Sequence, residues 1–174
     1  MSNNPLTRPT IKRRLISMVY ETLLGLAVLF LPLLIVELAV QASLAGWAWH
    51  LRQLVAFLVL GFYFIHQWTR DGQTLAMKTW RMRLVSTDGG PVSPRAATVR
   101  YLLSWMWIAP AGLICMALGL ERWHKLEVIF AGVLLWSLTA LLDKDRQFLH
   151  DKLAGTRLVQ LPPLPKKKKV AAPV

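Results

Sequence analysis

The sequence predicts an all-α integral membrane protein: four transmembrane helices with a small cytoplasmic amphipathic/β elaboration. Three observations carry that prediction. Hydrophobic residues make up 55% of the 174-residue chain and charged residues only 17%, against about 25% charged in soluble domains. Charges are absent from Thr22–Val36, Leu38–Leu51, Gln53–Thr69, Tyr101–Leu120 and Val128–Leu142. All but three of the 21 basic residues then fall on one side of the membrane that those runs define. The net charge of +12 is therefore concentrated at one surface, and the length leaves no room for a second soluble catalytic domain of typical size.

About 20 apolar residues cross a hydrocarbon core, and lipid offers the backbone no hydrogen-bond partner, so helices must fill these runs. The expected spans lie near 17–40, 50–68, 101–120 and 126–143, the fourth being the shortest. The N-terminal basic stretch precedes an apolar run too long for a secretory h-region, and no small-residue cleavage site follows, so the first helix is expected to stay in the protein. Orientation follows from the basic residues. Arg8 to Arg14 precede the first span, Arg70 to Arg100 separate the second from the third, and Lys144 to Lys169 follow the fourth. The other side holds only Arg52, Arg122 and Lys125, so the positive-inside rule places both termini in the cytoplasm. Trp47, Trp49 and Trp123 on the outer side and Trp68 and Trp105 on the inner side read as interfacial anchors.

The cytoplasmic segments carry their own plan. Asp71-Gly72-Gln73 marks a turn, Thr74–Thr79 suits a short amphipathic helical turn, and Trp80–Val85 alternates with the period of a strand until Asp88-Gly89-Gly90-Pro91 stops it. Ser93-Pro94 reads as a helix N-cap followed by proline at the first helical position. Gly155–Val159 resembles Met82–Val85 in pattern, and because a lone strand is unstable the two are expected to pair as a small sheet. Residues 1–11 form an N-terminal arm, 12–160 the membrane domain, and 161–174 a proline-rich, basic tail expected to be disordered. Its Lys166, Lys167, Lys168 and Lys169 read as a contact with anionic headgroups, at about 1 kcal/mol per basic residue near the surface, rather than with nucleic acid.

Among candidate functional residues Glu21 is the most informative. A carboxylate inside a span costs about 2.5–3.5 kcal/mol on insertion scales for aspartate at the helix centre, so such groups face a partner or a cavity. Arg14, seven residues earlier, is about 700° of rotation and about 10 Å of rise away, which puts both side chains on nearly one face. A direct contact, a water-mediated contact and separate partners on other helices are all compatible with that spacing. Asp151, in a cluster with His150 after the fourth span, is expected to pair with an arginine of the central loop, for which Arg81, Arg83 and Arg100 are the candidates. Glu37 reads as a solvated edge and Cys115, the only cysteine, as a packing residue.

Arg13-Arg14-Leu15-Ile16-Ser17-Met18-Val19-Tyr20-Glu21 resembles the opening motif of the RDD family of bacterial multi-pass membrane proteins, an arginine before the first span and an acidic residue within it. Gly72–Lys78, Arg83-Leu84-Val85, Asp88-Gly89-Gly90, Arg95 and Arg100 resemble its central loop, and His150–Thr156 its closing motif. Glu21 stands where the family has aspartate, and Ala76 where it has glycine. The resemblance implies a multi-pass domain whose arginine and acidic residues, here Arg14, Glu21 and Asp151, form a functional site, with transport as the suggested activity; Arg13, Arg81, Arg83, Arg100 and His150 are read from their positions as residues in support.

Other chemistries find little footing. Asp143, Asp145, His150 and Asp151 match no diagnostic metal-ligand spacing, and the four histidines have no paired intrahelical spacing for haem. No nucleophile triad, phosphate loop or nucleotide fingerprint is present. The expectation is a transport-related protein, proton- or cation-linked export of a small solute being its concrete form, that is not an enzyme and has no cofactor. Its partners would be the bilayer, anionic lipid, an ion or solute, and a homo-oligomer, since four short helices make a thin channel wall. The competing reading is a membrane scaffold that uses the same charges to lock helix packing and dock a partner.

Overall fold

The computed structural model describes residues 9–41, 45–142 and 147–162. Helix α1 covers Ile11–Ala39 and α2 covers Gly46–Arg70. Both start earlier than hydropathy alone places them; for α1 the cause is Thr10, whose side chain accepts the Arg13 N–H and caps the helix below the apolar run. A short helix α3, Leu75–Thr79, capped by the Thr74 hydroxyl, leads into strand β1, Met82–Ser86. Helix α4 is Pro94–Ser104, with Ser93 as N-cap and proline in the first turn, as the sequence indicates. Helices α5, Ala109–Ala117, α6, Arg122–Leu142, and α7, Leu149–Leu153, precede strand β2, Thr156–Gln160.

The expected third span differs from the single helix over 101–120. Its helix begins at Pro94, tightens into a 3-10 turn at Trp105–Trp107, and resumes at Ala109. Pro110 explains the break: it has no N–H to donate and its ring crowds the carbonyl four residues back. The Ser104 hydroxyl donates to the Tyr101 carbonyl at 2.6 Å, competing for a helical acceptor at the same place. Among the described residues, α1, α2 and the α4–α5 segment Pro94–Ala117 are long and apolar enough to cross a membrane. Helix α6 occupies the position of the fourth expected span.

Strands β1 and β2 pair antiparallel, with Leu84 opposite Leu158 and Met82 opposite Gln160, as expected from their shared pattern. The outward-facing groups of this ribbon are also satisfied. Leu84 N–H donates to the Gly72 carbonyl at 2.7 Å. On the other edge the Gln147 amide acts as an extra rung, accepting from Leu158 N–H at 3.1 Å and donating to the Leu158 carbonyl at 3.3 Å. These contacts matter because a two-stranded ribbon is marginal by itself. Beneath it lies the core, where Met82, Leu84 and Leu158 pack with Trp68, Met77, Val92, Ala97 and Tyr101. Trp68, expected as an interfacial anchor, is instead only 3% exposed.

Two glycines permit close approaches. At Gly61 a methyl group would meet the Tyr101 ring at 2.9 Å, and there the Tyr101 hydroxyl donates to the Phe57 carbonyl at 2.6 Å, joining α2 to α4. Gly72 has φ of +67°, and a Cβ would lie 2.6 Å from the Leu84 carbonyl oxygen. Gly72→Ala is therefore expected to destabilise the protein by about 1–3 kcal/mol through backbone strain and displacement of β1. A melting temperature in detergent equal to that of the wild type would disprove this.

Candidate functional site

Arg14 and Glu21 of α1, Arg100 of α4 and His150 of α7, singled out in the sequence, converge near the N-terminal part of α1 and the C-terminal end of α2. Arg14, Ser17 and Gly25 are the buried residues of α1, so this helix turns its polar and small side chains inward and its large apolar ones outward. That pattern is the reverse of a soluble helix, and it is stable only where lipid covers the outer face. Arg14, Ser17 and Glu21 line a cavity of about 130 Å³, together with Arg100, Ser104 and His150. Such a volume holds several waters.

Glu21 and Arg14 share this cavity but have separate partners. The Thr74 hydroxyl donates a hydrogen bond to the Glu21 carboxylate while accepting the Met77 N–H at 3.2 Å. One hydroxyl thus caps α3 and ties the loop between α2 and β1 to α1. Arg14, 2% exposed, donates to the Gln147 Oε1 at 3.0 Å, and its guanidinium lies 5.6 Å from the centre of the Phe148 ring. The same Gln147 oxygen that holds β2 thereby receives the first helix.

Asp151 is fully buried and pairs with Arg100, Nη2 to Oδ1 at 2.7 Å. Of the three arginines expected to compete for it, Arg100 makes the pair. Arg83 donates instead to the Asp71 carbonyl at 3.1 Å. Arg81, at φ +55°, serves through its carbonyl, which accepts from Leu161 N–H at 2.7 Å and Gln160 Nε2 at 2.9 Å. The Arg100 guanidinium also stacks over Trp68, 4.3 Å from the ring centre, a geometry that lysine's ammonium does not reproduce. Arg13 is exposed. His150 stacks on Phe148 at 5.7 Å, with Nε2 3.3 Å from Asp151 Oδ1.

Thr74, Trp68 and Gln147 belong to the site, and sequence reasoning missed them as functional. Thr74 had a detectable signal, since a threonine after the Asp71-Gly72-Gln73 turn is a natural N-cap; its second bond to Glu21 had none. Glu37 lies at the solvated edge expected of it, 45% exposed, and Arg52 also holds it with two bonds at 2.8 and 3.2 Å, linking the C-terminal end of α1 to the N-terminal part of α2. Cys115 is buried. Asp143, Asp145 and Lys166 to Lys169 lie outside the described residues, and among those described no group of three or more acidic, histidine or cysteine side chains is placed to hold a metal.

Burial works to raise the Asp151 carboxyl, but the nearby Arg100, His150 and Arg14 outweigh it and hold the carboxyl below its ordinary value. For His150, burial dominates; Asp151 opposes it, Arg100 and Arg14 reinforce it, and the imidazole falls from 6.5 to about 4. It is therefore neutral near pH 7.

A model of the RDD family matches residues 8–155. No curated protein and no solved structure matches the chain.

Two predictions follow from the buried charges. Asp151→Asn leaves Arg100 buried beside a neutral amide and is expected to cost about 3–5 kcal/mol, as does breaking other buried pairs; thermal unfolding in detergent measures it. The His150 shift sets a pH window. Between pH 6.5 and about 4 the unfolded chain takes up a proton that the native site refuses, so stability falls with pH there by on the order of 3 kcal/mol. Asp151 adds its own loss only below that window. His150→Phe should flatten the slope, and an unchanged melting-temperature profile from pH 7 to pH 4 in that variant would count against this account.

Proposed function

The chain belongs to the RDD family, and on that premise we propose that it is a bacterial inner-membrane protein that moves a small solute across the bilayer, with proton- or cation-linked export as the concrete form. The observation that carries this reading is the position of Glu21: a titratable carboxyl in the first span, opening on a cavity shared with Arg14 and Arg100. An intramembrane carboxyl is costly, and one beside a space large enough for water is suited to exchanging a proton or a cation. Its Thr74 partner lies on the cytoplasmic loop, so a change in the charge of Glu21 reaches α3 through a single hydrogen bond.

In this reading α6 is the fourth span, both termini lie in the cytoplasm, and Lys166 to Lys169 touch anionic headgroups. The protein is not an enzyme and needs no cofactor. It works as a homo-oligomer, supported by how few residues of α1 and α2 are buried within one chain.

A second reading has its own support. Glu21, Arg14 and Arg100 each already have a protein partner, which is what a non-transporting scaffold would need to fix its helices and present a docking surface. Flux separates the two. In proteoliposomes under an imposed pH gradient, added Na⁺ or K⁺ is expected to dissipate the gradient with the wild type, but not with an equally stable Glu21→Gln variant or with empty vesicles. If both proteins are silent, the scaffold reading prevails and copurifying membrane partners become the assay.

A further inference from the structure

A second cavity lies on the other side of Trp68. It measures about 270 Å³ and is bounded by the end of α2, Asp71-Gly72, β1 and the Gly89–Val92 turn. Its lining mixes the polar side chains of Thr69, Arg70, Asp71 and Arg83 with apolar ones from Leu84, Val85 and Val92. On the Glu21 side, Phe64, Met77 and Met82 line the inner cavity together with Trp68. Among the described residues Trp68 is the one that lines both spaces.

From this we infer that the Trp68 indole is the barrier between the Glu21 cavity and an aqueous cleft on the cytoplasmic surface, and that water and small ions reach Glu21 by its displacement. The ring is held by its faces. Phe64 stacks against it at 5.2 Å with 26° between the planes, and Arg100 lies 4.3 Å from its centre. The indole Nε1 is buried and has no hydrogen-bond partner among the described residues. No hydrogen bond pins the ring's edge, so it can turn without breaking one. Arg100 is in turn fixed by Asp151, which makes the α7 carboxylate a positioning group for the barrier. This assignment rests on the transport reading for its purpose, but not for its test.

The test is chemical access. In a Cys115→Ser background, Ser17→Cys places a thiol in the inner cavity and Thr69→Cys places one in the cleft. A membrane-impermeant cationic methanethiosulfonate is applied to the cytoplasmic face of inside-out vesicles. With Trp68 present, the thiol at 69 should react readily and that at 17 slowly. Trp68→Ala should accelerate modification at 17 by on the order of tenfold, because thiol reactivity follows access, and leave 69 unchanged. If the alanine variant loses the wild-type melting transition, Trp68→Phe, which keeps a smaller ring against Arg100, decides the matter by an intermediate rate at 17. Equal rates at 17 with and without the indole, while 69 stays reactive, would overturn the barrier. A Trp68-dependent rate in a protein with no ion flux would sink the transport reading and leave the barrier standing; flux with Trp68-independent labelling would do the reverse.

Discussion

The Arg100–Asp151 ion pair is the constraint on which the rest of the structure depends. Both groups are removed from water, at 6% and 0% side-chain exposure, so each is tolerable only because the other is there. The pair joins α4 to α7. Through the stacked Trp68 it also reaches α2, and a turn after α7 delivers the chain into β2. One contact thus helps fix where the closing segment sits, and with it the β1–β2 ribbon.

This arrangement places the core outside the apolar spans rather than within them. The clustered buried side chains come from the C-terminal end of α2, from α3, from α4 and the turn before it, and from the ribbon. The buried residues of α1 are polar or small, and those of α2 are Ala48, Gly61 and Trp68. The spans therefore resemble staves held at one end by a packed collar. At the opposite end the Glu37–Arg52 clamp fixes α1 against α2. Between the two fastenings, large residues such as Phe30, Leu34, Leu58 and Phe62 remain exposed within the single chain, as suits a surface solvated by lipid tails or by another copy.

Much of this was legible in the sequence, for identifiable reasons. The spans announce themselves because charge is excluded over whole runs. The Ser93-Pro94 cap and the pairing of Met82–Val85 with Gly155–Val159 follow from local turn chemistry and strand period. The break after Ser104 was hidden by continuous hydrophobicity, although Pro110 encoded it. The choice of Arg100 over Arg81 and Arg83 could not be read, since all three are arginines in one polar loop and only the tertiary path of α4 separates them. Trp68 was misread because an interfacial anchor and a buried stacking platform have the same identity and the same position near a helix end.

The antiparallel pairing of β1 with β2 has a consequence for biosynthesis. The paired segments are separated by roughly 70 residues of intervening chain, which include α4, α5 and α6. At translation rates of about 5–20 residues per second, β1 waits several seconds for its partner. Until α7 is made, Arg100 has no counter-ion from it, and the edge of β1 that later pairs with β2 keeps its backbone N–H and C=O groups unpaired. The nascent chain therefore passes through a long-lived state that is exposed to strand-pairing errors and to membrane quality control. Truncation between α4 and α7 removes both β2 and the Asp151 counter-ion and leaves the protein in that state permanently.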